Sequence, residues 1–323
     1  MRSTAHSARM ATLVTGGSGF LGSHLVERLA ADGAAVTVFD SMRAGSAENL
    51  AAVADRVRII QGDVRDLSAV MDALEQCTPE VVYHLAANAS VPGSVEDPAY
   101  DYEANATGTF VLLDALRRLD MKPRVVLASS GAVYGQPDRF PITEDFPLRP
   151  ISPYGYSKLC AEHIARMFLD VYGIPTVIAR IFNSYGPRAP RYIVYDFLKK
   201  LERNPTRLEI LGDGKQQRDF TYVTDTVAGL VLLAEKGVPG EAYNVSSGQN
   251  HSVTELAEML VDALGLTSQV QFHFTGSSWA GDAQYWKVDV SKLRALGFEG
   301  KIALREGLRL TAFWSRAAGA NSV

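Results

Sequence analysis

Tyr154 and Lys158 stand four residues apart in ISPYGYSKLCAEH, residues 151–163, where a long amphipathic stretch begins. On a helix that spacing puts both side chains on one face, so the ammonium can favour the ionised form of the phenol. A free phenol titrates near a pKa of about 10, and a base working near neutrality needs a positive charge beside it. Taken alone, the pair is as well explained by two polar residues on a solvated face. Its setting decides for chemistry: Ser129 and Ser130 end an apolar run, RVVLASS, upstream, and the chain opens with the signs of a dinucleotide site.

Those signs begin with TGGSGFLGSHL after a β-branched run. Gly16 permits a tight turn, Gly19 lets the backbone approach a pyrophosphate at a helix N-terminus, and Gly22 allows close packing; Phe20 and Leu21 lie between them in the same site. Asp40 ends the second strand-like run, where a carboxylate accepts bonds from an adenosine ribose and repels a 2'-phosphate. NAD is therefore expected over NADP, with Arg43 leaving NADP open. In GDVRD, Asp63 can meet an adenine amine and Val64 can pack on its ring, while Asp66 equally reads as the cap of the next helix. Leu85, Ala86 and Ala87 follow the fourth run with small residues against which a dinucleotide can lie.

The elements that must hold these residues alternate apolar β-branched runs with amphipathic ones. This predicts an α/β fold of Rossmann type, a doubly wound parallel sheet, joined to a smaller, discontinuous α/β substrate domain. The expected cofactor domain is 11–183 with 219–247, and the substrate domain 184–218 with 248–315. Residues 1–10 and 316–323 read as flexible tails. With 323 residues, 47% of them hydrophobic, the chain can bury a large core, and a net charge of −4 without a Lys/Arg cluster offers nothing to nucleic acid or an acidic membrane. The two cysteines suit a reducing cytoplasm, no metal-ligand spacing occurs, and no run approaches a membrane span.

TGGSGFLG, Asp40, HLAA, Asn105 in NATGT, SSGAVYG, YGYSK and RIFNSYGP together resemble the extended short-chain dehydrogenase/reductases, specifically their nucleotide-sugar epimerases and dehydratases, over roughly residues 11–315. The resemblance implies that Tyr154 is the general base, that Lys158 orients the nicotinamide ribose, and that Ser130 bonds the sugar hydroxyl that becomes a ketone. It adds Ser129 and Asn105 to the cofactor side, Asn105 as a brace for the active-site helix or else an ordinary buried amide. It implies a UDP-sugar substrate touching Asn183 and Arg218 at the diphosphate, Leu208 and Ile210 at the uracil, and Ser90 and Asp282. Where the dehydratases carry Asp and Glu after the serine, this chain has Gly131 and Ala132. A redox-neutral inversion at C4 with tightly bound NAD is then the expected reaction.

The family's second phosphate arginine is replaced by Trp279-Ala280 before Gly281-Asp282. Two prolines stiffen SYGPRAPRY, and Arg191 in it can form a fork with a C6 carboxylate, which favours UDP-glucuronate and UDP-galacturonate; bonding of Arg188 and Arg191 to phosphate or solvent stays equally open, and so does a neutral or N-acetylated hexose. A reductase or a non-catalytic NAD-binding regulator are the readings of another class. A homodimer is expected through the helices before Leu119 and after Pro153.

Overall fold

The computed structural model describes residues 10–276 and 285–320. Its central sheet has seven strands: β1 (Ala11–Thr15), β2 (Ala35–Asp40), β3 (Arg58–Gln61), β4 (Val81–His84), β5 (Arg124–Ser130), β6 (Thr176–Ile181) and, later in the chain, Ala242–Val245, which is β10. The order is β10-β6-β5-β4-β1-β2-β3, and β1 pairs in parallel with β2 and β4, β2 with β3, and β4 with β5. Strands enclosed on both sides should be apolar along their length, and β1, β2, β4 and β5 are buried almost throughout.

The helices between them are α1 (Phe20–Ala31), α2 (Leu67–Cys77), α3 (Val91–Glu96), α4 (Pro98–Tyr102), α5 (Gly108–Arg118) and α6 (Pro153–Tyr172). Their starts are written locally. Asp66 accepts from Ser68 and Ala69 N at 2.9 and 3.2 Å and caps α2, and Ser90 accepts from Gly93 N at 3.1 Å and caps α3. A π-helical turn, Glu103–Thr107, joins α4 to α5.

The rest of the chain supplies β7 (Asn183–Tyr185), α7 (Tyr192–Arg203), β8 (Arg207–Ile210), β9 (Gln217–Tyr222), α8 (Val223–Lys236), β11 (Asn250–Ser252), α9 (Val253–Ala263), β12 (Gln271–Phe274), α10 (Ser291–Ala295) and α11 (Leu304–Ala320). A three-stranded sheet runs β11-β9-β7, and β8 pairs in parallel with β12.

The described chain divides into two compact units. One holds the residues up to Ala128 with Ser157–Ile178 and Gly237–Glu241; the other holds Ser129–Tyr156, Ala179–Lys236 and the residues from Ala242 on. The stretch 129–156, grouped from sequence with the cofactor domain, lies in the second unit. Residues 316–320, expected in a tail, continue α11 instead. No described helix is long and apolar enough to cross a membrane.

Candidate active site

In the first unit the glycines form a turn that no side chain could share. Gly16 has φ +71, and a Cβ there would lie 2.6 Å from Ala86 N; a Cβ on Gly22 would strike the Gly16 carbonyl. Gly19, the N-cap of α1, differs: the nearest atom to a Cβ would be Gly16 O at 3.3 Å, so packing asks less of it. Phe20 and Leu21 open α1 behind this cradle. The Asp40 carboxylate at the end of β2 accepts from Ser18 N at 2.9 Å and Met42 N at 2.8 Å, which ties the glycine turn to β2. Arg43 lies 3.7 Å over the Tyr100 ring, a use of its charge that involves no phosphate.

Asp63 is engaged by Arg65 at both carboxylate oxygens, at 3.0 and 2.8 Å, and that guanidinium holds its carboxyl below the usual range. Arg65 also meets Glu103 at 2.8 Å. Val64 is buried, close enough to Gly108 that a Cβ there would lie 2.8 Å from it. Leu85, Ala86 and Ala87 follow β4, and Leu85 N and Ala86 N donate to Thr15 O and Thr15 Oγ1 at 3.1 and 3.3 Å.

Behind these residues lies a hydrogen-bond chain with a fixed direction. Thr109 Oγ1 donates to Asn105 O at 2.6 Å, so it accepts from His84 Nε2 at 3.2 Å, and His84 Nδ1 accepts from Thr15 Oγ1 at 2.8 Å. Burial, and then the charge of Lys158, pull His84 down to about 3, so the ring is neutral. Asn105, in the π-helical turn, accepts from Asn88 N at 2.8 Å and donates to Ser157 Oγ at 2.9 Å on α6. π-turns often mark functional sites. Asp101 joins this group as a fully buried carboxylate. Sequence reasoning missed Asp101, Asn88, Ser157 and the tautomer of His84. The available signal was Asp101 four residues before Asn105 in DYEAN, which is one helical turn.

Tyr154 and Lys158 lie one turn apart on α6, both nearly buried. Lys158 Nζ donates to Ala128 O at 2.9 Å, and burial lowers its pKa to about 8 against the favourable charges of Asp101 and Glu162. At neutral pH it is an ammonium. Ser129 is buried at the end of β5, and Ser130 follows as the N-cap of a 3-10 turn, Gly131–Tyr134, accepting from Ala132 N at 3.2 Å. A Cβ on Gly131 would lie 2.5 Å from the Phe182 ring, which stacks with Tyr134 at 6.2 Å and meets Trp286 edge-on at 5.2 Å. No carboxylate side chain fits at position 131 without displacing that ring.

Also in the second unit, Arg218 on β9 pairs with His251 on β11, Asn183 pairs with Phe220, and the bridge Gln217–Tyr285 brings Trp286 beside Arg218. The alternation of strands then puts Asn183, Arg218, Phe220, His251 and Trp286 on one face. His251 Nε2 and Trp286 Nε1 are buried there without a hydrogen-bond partner. Asn183 Nδ2 donates to Asp219 O at 3.0 Å. Arg191 is the N-cap of α7, and its side chain makes no cap bond. Leu208 and Ile210 are fully buried in β8, so toward a ligand that strand offers backbone and not these side chains. Ser90 spends its hydroxyl on capping α3. Asp282 and Trp279 lie outside the described residues.

Known proteins of the same build are numerous. The chain is 35% identical to the UDP-glucose 4-epimerase of Mycolicibacterium smegmatis, covering 95% of this chain and 99% of that one. The crystal structure of a Thermotoga maritima UDP-glucose 4-epimerase with UDP-glucose matches with a TM-score of 0.88 at 34% identity, over 96% of this chain and 99% of that one. A Thermus thermophilus UDP-glucose 4-epimerase in complex with NAD matches with a TM-score of 0.85 at 35% identity, over 96% and 100%. Residues 13–311 match the family described as GDP-mannose 4,6 dehydratase, and the chain belongs to that family, within the extended short-chain dehydrogenase/reductases.

Proposed function

We propose that this protein is an NAD-dependent UDP-sugar 4-epimerase, and the observation that carries the reading is the Ser130-Gly131-Ala132 turn. A 4,6-dehydratase needs an acid and a base near C5 and C6, and here Phe182 fills the space a side chain at 131 would take. The glycine cradle after β1, closed to any Cβ at Gly16 and Gly22, fits a pyrophosphate at the start of α1. Gly19, Phe20, Leu21, Asp40, Asp63, Val64, Leu85, Ala86, Ala87, Asn105 and Ser129 would complete that site, and the 2'-hydroxyl that Asp40 accepts from favours NAD.

NAD held by the glycine cradle and Asp40 would supply reversible hydride acceptance at C4, which is the chemistry a redox-neutral inversion needs. Tyr154 takes the 4-hydroxyl proton and gives it back, Lys158 favours the phenolate, and Ser130 bonds the reacting oxygen. Arg218 and Asn183 hold the diphosphate from the β9–β7 face, and the buried, unpartnered nitrogens of His251 and Trp286 beside Arg218 support a polar ligand there. The 11–183 and 219–247 segments would serve the cofactor, and 184–218 with 248–315 the nucleotide sugar. Phe110 on α5 with Met167 and Val171 on α6 are exposed apolar residues, which supports a homodimer seam on those helices.

For the hexose, the reading is UDP-glucuronate and UDP-galacturonate, with Arg191 at the C6 carboxylate. Its support is an arginine at the head of α7 between residues of positive φ at Arg188 and Tyr192, in a loop stiffened by two prolines. A neutral UDP-glucose substrate is favoured instead by the likeness to the M. smegmatis and T. maritima UDP-glucose 4-epimerases. Incubating the purified protein, without added cofactor, with UDP-glucuronate, UDP-glucose and UDP-N-acetylglucosamine separates these by the anomeric proton signals. A 4-epimer from one of them supports the reading and names the sugar. Turnover only of a keto sugar with added NADH or NADPH would mean a reductase. Arg191→Gln should cut uronate turnover about 10-fold or more and spare a neutral sugar.

A further inference from the structure

The three hydrogen bonds to the buried Asp101 carboxylate all come from donors on different segments. Asn88 Nδ2 and Asn105 Nδ2 reach Oδ1 at 3.0 and 3.2 Å, and Ser157 Oγ reaches Oδ2 at 2.6 Å. Ser157 accepts from Asn105 Nδ2 at 2.9 Å, so its single hydroxyl proton is the one given to Asp101. A protonated carboxyl would set a donor against these donors, so the ionised form is the one this cage satisfies. Burial pulls the Asp101 carboxyl above the usual carboxylate range, and the bonds from Ser157, Asn88 and Asn105 with the charge of Lys158 counter only part of that pull.

Ser157 immediately precedes Lys158 in the first turns of α6. The ionisable groups that bear on Lys158 in this unit are Asp101 on α4 and Glu162 on α6, and Lys158 in turn bears on the neutral His84 on β4; Ala128 O on β5 takes the Nζ proton. We infer that Asp101 is a positioning residue for Lys158: through Ser157 it fixes the start of α6, and its charge keeps the buried lysine an ammonium. The inference rests on the proposed role of Lys158 beside the general base.

Asp101→Asn keeps the shape and removes the charge. In the full protein, the alkaline limb of the kcat–pH profile should move to lower pH by about one to three units, with KM for the UDP-sugar little changed. A profile that only scales down at every pH, or does not change, overturns the inference. Ser157→Ala cuts the link and leaves the charge, so kcat should fall about 10-fold with the limb at its wild-type position; wild-type kcat in that variant overturns the positioning role. If Asp101→Asn does not fold, Asp101→Glu takes its place: the limb should stay and kcat should fall, and a shifted limb counts against the inference.

A second measurement needs no turnover. Lys158 has its pKa pulled from 10.5 to about 8, so its burial penalty is full below about 8 and fades as pH rises toward 10.5. Thermal unfolding against pH, taken as the difference from Lys158→Met, should show the wild type gaining stability through that window and Asp101→Asn beginning the gain at lower pH. Coincident curves overturn the inference even if no UDP-sugar is epimerised. A displaced curve without any turnover leaves it standing and removes the epimerase reading instead.

Discussion

The polar groups behind α6 and those on the β11–β9 face are treated in opposite ways. Around Asn105, Asp101 and His84, the buried donors and acceptors meet one another, down to the direction of each hydroxyl proton. Around Arg218, two buried ring nitrogens, on His251 and Trp286, meet nothing. A saturated network fixes geometry before any ligand arrives, and low dielectric makes each of its bonds costly to break. Unmet polar nitrogens instead place the reward for satisfying them at binding. On the proposed assignment the saturated network braces the cofactor side and the unmet nitrogens lie on the substrate side, which suits an enzyme that keeps NAD and turns over a UDP-sugar.

The largest test of that contrast is Asn105→Ala. It removes the bonds to Ser157, Asp101 and Asn88 together, and unfolding should come about 2–4 kcal/mol easier by denaturant titration. An effect under about 0.5 kcal/mol would mean the network is not saturated in solution. On the other face, Arg218→Leu should leave unfolding almost unchanged and raise KM for the UDP-sugar about 10- to 100-fold. A loss of stability with unchanged KM would reverse the assignment of the two regions.

Acid should act on the first region through His84. Its folded pKa of about 3 lies below the ordinary 6.5, so the unfolded chain binds the proton first. The stability it contributes is whole above about 6.5 and is lost as pH falls toward 3, at no more than about 1.4 kcal/mol per pH unit. Unfolding curves of wild type and His84→Asn should therefore converge as the pH drops. The smallest effect is expected from Trp286→Phe, which deletes an unmet N–H: stability should change by less than about 0.5 kcal/mol while KM rises. An unchanged KM would show that the nitrogen does not serve the ligand.

The fold was legible where chemistry is local. Glycines fix the turn after β1, Asp66 caps α2 two residues away, and Tyr154 and Lys158 need only one helical turn to come together. The same holds for the missing acids at Gly131 and Ala132, though the ring that crowds position 131, Phe182, is 51 positions along the chain. What escaped was long-range. Asp101 meets Ser157 across 56 positions, and His251 faces Arg218 only because β11 returns antiparallel to β9 in a particular register. Residues 316–320 read as a tail because AAGANSV has no apolar stripe, yet AAGA continues α11. Leu208 and Ile210 read as a ligand slot and occupy the core, since an alternating strand looks the same from sequence whichever side it faces.

The central claim is that hydride leaves C4 and returns to C4 within one bound cofactor. The most direct measurement supplies the UDP-sugar that turns over with deuterium at C4 and follows the label in the product by NMR and mass spectrometry. Deuterium kept at C4 of the inverted sugar, without wash-out into solvent, is the predicted result. Deuterium at C6 would mean a dehydratase despite Gly131, and label lost to free NADH would mean a dehydrogenase; either would contradict the account.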